Sequence, residues 1–447
     1  MRVALVYPEV YDLARFRELR KEFPPFGVLY LAAVAEQAGH DVSVFAVTDE
    51  DWALDLTSFE AVGFSIPSSA TYGIIKQARI DSVYGDDPLI MVGGVHPNFY
   101  PEQTLIDIQP HVVGIGEGEV TFLELLDETA HRRFDRVSGV CHLRAGEPTR
   151  TPPRALMRDI DVLPIPARHL LEPDDFVMSD RLSTTDLRMA HVMFSRGCPF
   201  PCRFCAAAQT RIQYRSGASA RHELEHLIAR YDIDGFAIVD DNFIVNKRKV
   251  RDICTAIEDL GLRWSALSRV DTVDRVLLEG MAASGCVEVK FGMESGSEGM
   301  LKAMRKNTTQ DQIRAAVRTA HQVGINVKLF LVHGYPGENV ETTRTTMRLL
   351  DELAPDIERV SLCRFVPLPG TYVYEHPEEF DLHHTDRDAG WDGDWRRYHI
   401  HHNHQRWWGT EQDFALVQRG YELLRDMVDA LWPERLAAPS PSPSRAG

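Results

Sequence analysis

The stretch Phe194-Ser-Arg-Gly-Cys-Pro-Phe-Pro-Cys-Arg-Phe-Cys205 places Cys198, Cys202 and Cys205 within eight residues of a 447-residue chain that contains seven cysteines. Thiolates are soft ligands suited to iron–sulfur clusters, and a short loop can aim three of them at one centre. Cys254, Cys286 and Cys363 sit in apolar stretches and read as small core residues, so no fourth thiolate lies nearby. A structural zinc site wants four Cys or His ligands at paired spacings; Pro199, Phe200, Pro201 and Arg203 add none. A cubane cluster held by three protein thiolates leaves one iron open to a small molecule.

Working outward, Val192–Phe194 reads as a strand ahead of the cysteines, and strand and helix patterns alternate over residues 186–375. Sustained alternation implies a parallel sheet. Residues 1–140 alternate as well. Val3–Tyr7, Val42–Val47, Ala61–Ser65, Leu89–Gly93 and His111–Ile115 are continuous apolar runs, as strands covered on both faces should be. Between the first two, Gly27–Gly39 reads as a helix stopped by its final glycine. This part is expected to be a doubly wound, flavodoxin-like (Rossmann-type) α/β domain with ligands at the carboxyl ends of its strands. Residues 141–185, with Thr151-Pro-Pro153 and Leu163-Pro-Ile-Pro166, read as a linker. Residues 376–436 read as a small C-terminal cap or substrate region ending in a helix from about Glu411 to Leu431, and 437–447 as a disordered tail. The net charge of −17 argues against nucleic acid as a partner. No membrane-length apolar stretch and no signal-peptide core occur, so a cytoplasmic protein is expected.

The three-then-two cysteine spacing, with Phe204 before the last cysteine, resembles the signature of the radical S-adenosylmethionine (SAM) superfamily. That resemblance implies a 4Fe–4S cluster on Cys198, Cys202 and Cys205, SAM on the open iron, and a partial (β/α)6 TIM-type barrel. It also implies an electron donor such as flavodoxin or ferredoxin. Later strand ends are similar to the family's SAM-contacting segments. Ile238-Val-Asp240-Asp241-Asn242-Phe243 offers Asp240 and Asp241 to the SAM amino group or a polar substrate; a helix cap, for which Asn242 suffices, is the alternative. Phe291-Gly-Met-Glu294-Ser295-Gly296-Ser297-Glu298 offers Glu294 and Ser295 to the ribose or methionine part, with Ser297 as cap of the next helix. Gly334-Tyr-Pro-Gly337-Glu338 resembles the turn that cradles adenine, Val366–Thr371 resembles the last strand end, and Ser268 and Arg269 complete the rim. Ahead of the barrel, the turns Pro24–Gly27, Gly39-His40, Gly93–Pro97 and Gly114–Glu119 resemble a cobalamin-binding domain, although no Asp-x-His-x-x-Gly segment is present to ligate cobalt.

Charged residues interrupt the barrel strands where branched aliphatics would fill a closed core. With Glu294 facing the lumen, period-two alternation puts Lys290 and Glu288 on the same side, and Lys328, His333 and Arg364 interrupt other strands. Lys290, Glu288 and Lys328 are therefore candidate catalytic residues in a polar pocket; internal ion pairing is the alternative. His383, His384, His399, His401, His402 and His404 suggest a metal site or a loop, and Trp391, Trp395, Trp407 and Trp408 a lid over the barrel. The resemblance implies hydrogen abstraction by a 5′-deoxyadenosyl radical from a polar small molecule, in natural-product biosynthesis. Methylation follows with cobalamin. Radical dehydration or redox of a sugar diol, as on aminoglycosides, follows without it. A non-catalytic iron–sulfur or corrinoid carrier is a third reading. Cys202→Ala is expected to lose the cluster and all release of 5′-deoxyadenosine after anaerobic reconstitution; iron analysis and chromatography check this, and retained cleavage would defeat the ligand assignment.

Overall fold

The computed structural model describes residues 1–9, 24–173, 176–180, 187–383, 395–398 and 404–433. The chain forms two compact units, the first made of residues 1–176, 368–370 and 385–399, the second of the remainder.

The first unit is built on strands β1 (Arg2–Pro8), β2 (Asp41–Val47), β3 (Ala61–Ser65), β4 (Leu89–Gly93) and β5 (Val112–Gly114). They lie in the order β2-β1-β3-β4-β5, all parallel, which is the flavodoxin-like arrangement. Val3, Ala4, Val6, Ala61, Val62 and Leu89 are essentially inaccessible, because helices cover both faces of a sheet wound this way. Residues 141–185 are not simply a linker. β6 (Val140–Arg144) and β7 (Glu147–Arg150) form a hairpin that continues the sheet antiparallel from β5. Ala145 and Gly146 both take positive φ, the backbone a tight two-residue hairpin turn demands.

The carboxyl ends of these strands are stitched together by backbone. Ile66 donates its N–H to Gly93 O at 2.8 Å, and His96 N–H reaches Ile66 O at 3.2 Å. Gly94 has φ +115, and a Cβ there would collide with the Ile66 peptide, whose carbonyl carbon would be 2.8 Å away. By contrast, a Cβ on Gly93 or Gly116 would meet nothing within 4 Å, so these turns present bare backbone to open space. His96 is internal: its Nδ1 is 2.8 Å from Ser69 Oγ, and its ring packs against Tyr72, Tyr100 and Trp395.

The second unit carries β8 (Val177–Asp180), β9 (Leu187–Val192), β10 (Gly235–Ile238), β11 (Arg263–Arg269), β12 (Cys286–Glu294), β13 (Asn326–His333) and β14 (Arg359–Arg364). The last six are parallel and adjacent in chain order, with β8 antiparallel at one edge, so the region once expected as linker also supplies this edge strand. Neighbour-to-neighbour winding puts all connecting helices on one face, and the result is the partial (β/α)6 barrel expected. Helix starts follow local chemistry: Ser216, Asn246, Asp274, Thr309 and Asn339 each accept backbone N–H bonds at an N-terminus.

The final helix of the region expected as a cap lies on the outside of the barrel. Helix Glu411–Leu431 packs on the outer, helical layer beside Val340–Leu353 and β14. Arg364 stacks on Tyr421 at 3.7 Å and bonds Gln418, while His333 bonds Thr343 and packs against Gly420 and Tyr421. His333 and Arg364 thus point outward. Trp395 joins the first unit among Tyr72, His96 and Tyr398, Trp407 is buried in the second, and Trp408 Nε1 donates to Gly334 O at 2.8 Å. His383 Nε2 lies 2.7 Å from Gly409 O; His384, His399, His401, His402, Trp391 and the 437–447 tail lie outside the described residues. Among the described residues no helix is long and apolar enough to cross a membrane. Gly94→Ala is expected to destabilise the protein by roughly 1–3 kcal/mol, because it combines a disfavoured φ with a backbone clash; urea unfolding of the full chain measures it.

Candidate active site

The cysteine loop is closed at its base by a short antiparallel ladder, Ser195-Arg196 against Gln213-Tyr214. Within it, Cys198 N–H donates to Thr210 Oγ1 at 2.8 Å, Thr210 N–H returns to Cys198 O, and Arg203 N–H bonds Met304 O. Gly197 has φ +85 and touches the Arg211 carbonyl, so a side chain there has no room. Cys198 and Cys202 are buried and Cys205 half-buried. Burial pushes the Cys202 thiol up and the Cys205 thiol up to about 12, and Cys205 also feels the charges of Cys202 and Cys198. The three thiols therefore share one electrostatic environment. Among the described residues no three or more His, Cys, Asp or Glu groups converge tightly enough to hold a single metal ion. Three soft donors on one loop are the ligand type that a 4Fe–4S cluster takes.

Asp240 behaves differently from the expectation. Its Oδ1 accepts from Phe194 N at 2.9 Å and its Oδ2 from Ser195 Oγ at 2.6 Å, so both oxygens are spent on the start of the cysteine loop. Burial raises its carboxyl to about 8 despite those bonds. Asp241 is exposed and accepts from Gly197 N at 3.2 Å. Both acidic residues hold the loop. The helix cap falls to Asn246, which leaves the buried Asn242 with Nδ2 at 4.0 Å from Cys198 Sγ.

Arg269, at the end of β11, reaches the cysteines directly. Its Nη1 lies 3.4 Å from Cys202 Sγ, its guanidinium stacks 4.0 Å from the Phe200 ring centre, and it pairs with Asp271 while donating to Lys306 O. Ser268 Oγ bonds Thr272 Oγ1 at 2.9 Å and keeps the turn beneath.

At the end of β12 a register shift brings Glu294 to φ +61, left-handed backbone that a non-glycine residue rarely holds. Its carboxylate accepts from Lys306 Nζ at 2.7 Å, and both side chains are buried. A Cβ on Gly292 would collide with this ion pair, which explains the glycine. Lys306 was not expected; it stands in the Arg305-Lys306-Asn307 segment after a short helix, outside every strand-end motif. Only the need of a buried carboxylate for a counter-charge signals it. Ser295 Oγ accepts from Ser297 N and approaches Thr346 Oγ1 at 3.3 Å; the Ser297 side chain does not cap the following helix.

Gly334 and Gly337 have φ +93 and +92, and a Cβ on Gly337 would meet nothing within 4 Å, so this turn also shows bare backbone to open space. Glu338 is buried and accepts from Thr342 Oγ1; burial raises its carboxyl to about 7. The candidate catalytic residues lie elsewhere. Glu288 pairs with Arg359 and lies 3.9 Å from Lys290 Nζ, and Lys328 Nζ sits 4.9 Å from the Phe330 ring centre. They stand on the lumen face deeper in the barrel, so the structure does not bring them to the cysteine rim.

A six-stranded partial barrel with three thiols at its carboxyl rim, preceded in the chain by a flavodoxin-like sheet, defines a class that the comparisons identify. Residues 192–350 match the radical SAM superfamily and residues 14–126 match the B12 binding domain. An uncharacterized methyltransferase of Pyrococcus horikoshii is 31% identical over 391 residues, covering 84% of this chain and 83% of that protein. The anaerobic magnesium-protoporphyrin IX monomethyl ester cyclase of Rubrivivax gelatinosus is 26% identical over 84% of this chain and 70% of its own. The structure of the radical SAM methyltransferase TsrM from Kitasatospora setae superposes with a TM-score of 0.71 at 16% identity, covering 99% of this chain and 92% of that one, a likeness of fold. The chain belongs to the radical SAM superfamily and carries a B12-binding domain ahead of its radical SAM domain. It is therefore an enzyme, with a 4Fe–4S cluster, SAM and cobalamin as the cofactors of its two domains, and the non-catalytic carrier reading falls away.

Lys306→Met is expected to cost about 3–5 kcal/mol by stranding the buried Glu294 carboxylate, whereas the double variant Glu294→Gln/Lys306→Met recovers most of that loss. Chemical denaturation of the anaerobically purified protein measures both, and equal stabilities of wild type and Lys306→Met would remove the pair from the site's support.

Proposed function

We propose that the protein methylates an unactivated carbon of a polar small molecule, using SAM and cobalamin. The observation that carries the reading is the joint presence, in one chain, of the three-thiol loop backed by Arg269 and Glu294–Lys306 and of a B12-binding domain in which Gly93 and Gly116 face open space. The similarity to the Pyrococcus horikoshii methyltransferase over most of both chains supports it.

When bound, the cluster and SAM together supply a 5′-deoxyadenosyl radical, and cobalamin supplies the methyl group. The chain's own residues prepare the site. Cys198, Cys202 and Cys205 hold the irons. Arg269 donates a charge-assisted bond to Cys202 and fixes Phe200, which stiffens the loop. Asp240 and Asp241 hold the loop's first residues. Glu294 and Ser295 offer acceptors for the ribose and methionine parts of SAM, and the Gly334–Gly337 turn offers backbone to the flat adenine. A flavodoxin or ferredoxin supplies the electron.

A redox outcome is the second reading, because a relative of similar extent is named as a cyclase rather than a methyltransferase. Mass spectrometry of products formed with SAM, cobalamin, reductant and candidate polar metabolites separates the two. A gain of one CH2 supports methylation; loss of hydrogens or water without a methyl gain supports the second reading. Absence of 5′-deoxyadenosine in every reaction overturns both.

A further inference from the structure

Arg269 is gripped from several sides. Its Nη1 lies 3.4 Å from Cys202 Sγ. Its Nε and Nη2 form a fork on the Asp271 carboxylate at 2.9 and 2.8 Å, and Nη2 also donates to Lys306 O at 2.6 Å. The Phe200 ring, part of the cysteine loop itself, covers one face of the guanidinium at 4.0 Å. The backbone is tied as well, since Arg269 O accepts from Thr272 Oγ1 at 2.9 Å. A planar cation held by its fork and by one face keeps a fixed direction, so Nη1 stays against the sulfur.

The Arg269–Asp271 pair is electrically lopsided. The arginine side chain keeps 7% exposure and the aspartate 20%. Water therefore screens the carboxylate more than the cation, and Asp271 occupies the other edge of the guanidinium from the one that meets Cys202. Burial raises the Cys202 thiol, Lys306 and Arg269 lower it, and Glu294 raises it again. Lys306 is matched by Glu294 at 2.7 Å, within the same dry volume. Arg269 is thus the less compensated of the two cations at this sulfur. Cys198 has a weaker neighbour, the neutral amide of Asn242 at 4.0 Å.

Reduction adds one negative charge to a 4Fe–4S cluster, and hydrogen bonds to the cluster's sulfurs are among the features that set its potential. We propose that Arg269, through its bond to Cys202, raises the reduction potential of the cluster, and that Asp271 limits the rise. One electron passes from the flavodoxin- or ferredoxin-class donor, which is oxidised as the cluster is reduced, and no bond or proton changes at Arg269. The pair sets how strong a reductant the enzyme needs. This inference rests on the cluster and holds for methylation and for a redox outcome alike.

The test is a redox titration of the anaerobically reconstituted full chain, before SAM is added, using dithionite and mediator dyes. Electron paramagnetic resonance reads the reduced cluster at each potential. Arg269→Met is expected to make reduction about tenfold less favourable, a fall of about 59 mV for one electron, as the loss of one charge-assisted hydrogen bond requires. Asp271→Asn is expected to move the potential the other way, making reduction roughly threefold more favourable. Asn242→Leu is expected to shift it less than Arg269→Met does. A residue that merely braced the loop would not give opposite signs for the two members of one ion pair. An unchanged or raised potential in Arg269→Met, an unchanged or lowered one in Asp271→Asn, or an equal fall in Asn242→Leu overturns the proposal. Iron analysis accompanies every variant. Where Arg269→Met fails to hold the cluster, Asp271→Asn decides, because it leaves Arg269 beside Cys202. Product analysis is scored separately, so an unmoved potential sinks this inference and spares the functional reading, while a failure to methylate does the reverse.

Discussion

The buried pair of Glu294 and Lys306 is the constraint around which the rim of the barrel is arranged. An ionised carboxylate removed from water needs a counter-charge, and Lys306 provides it at 2.7 Å. The demand propagates. β12 must break register so that Glu294 can turn inward at positive φ, residue 292 must be glycine to leave the volume clear, and the Lys306 segment must come close enough for Arg269 to bond its carbonyl. Arg269 then reaches Cys202. A structural ion pair and the cysteine loop are thereby linked through two residues.

Positive charge beside thiols has a second effect. Burial alone holds Cys202 protonated, whereas Lys306 and Arg269 pull its thiol the other way. A soft metal centre is bound by thiolates, so the same cations that satisfy Glu294 and Asp271 favour the form that binds iron. Asp240 and Asp241 sit on the opposite side of this balance, bonded to the loop's backbone and hydroxyl groups rather than to a cation.

Much of this was legible in the sequence because it is written in short-range patterns. Apolar runs located all five parallel strands of the first sheet to within a residue or two, and the Cys198–Cys205 spacing located the site. What escaped depends on tertiary partners. The Val140–Arg150 hairpin hides in a proline-rich region, because Ala145 must take the positive φ that glycine or asparagine would have advertised. Asp240 looked like a ligand-binding acid until its two partners on the loop were known. Asn242 looked like a cap because Asn favours that position, but the helix starts four residues later and Asn246 caps it. Lys306 carries no motif at all. His333 and Arg364 group with Lys328 as charged interruptions, yet Lys328 and His333 are five residues apart and so face opposite ways, and the helix Glu411–Leu431 shows that the His333 and Arg364 face is outside.

Trp395 gives the first unit a peculiar birth order. The unit's own strands are complete by residue 150, yet part of its aromatic cluster around Tyr72 and His96 arrives from a segment close to the far end of the chain. At synthesis rates of about 5–20 residues per second, the nascent sheet waits roughly 10–40 s after Phe176 emerges for that ring. Throughout this interval the second unit's strands are being added one beside the next. The first unit is thus begun before the barrel and completed only after it, its aromatic cluster closing once Trp395 has been added.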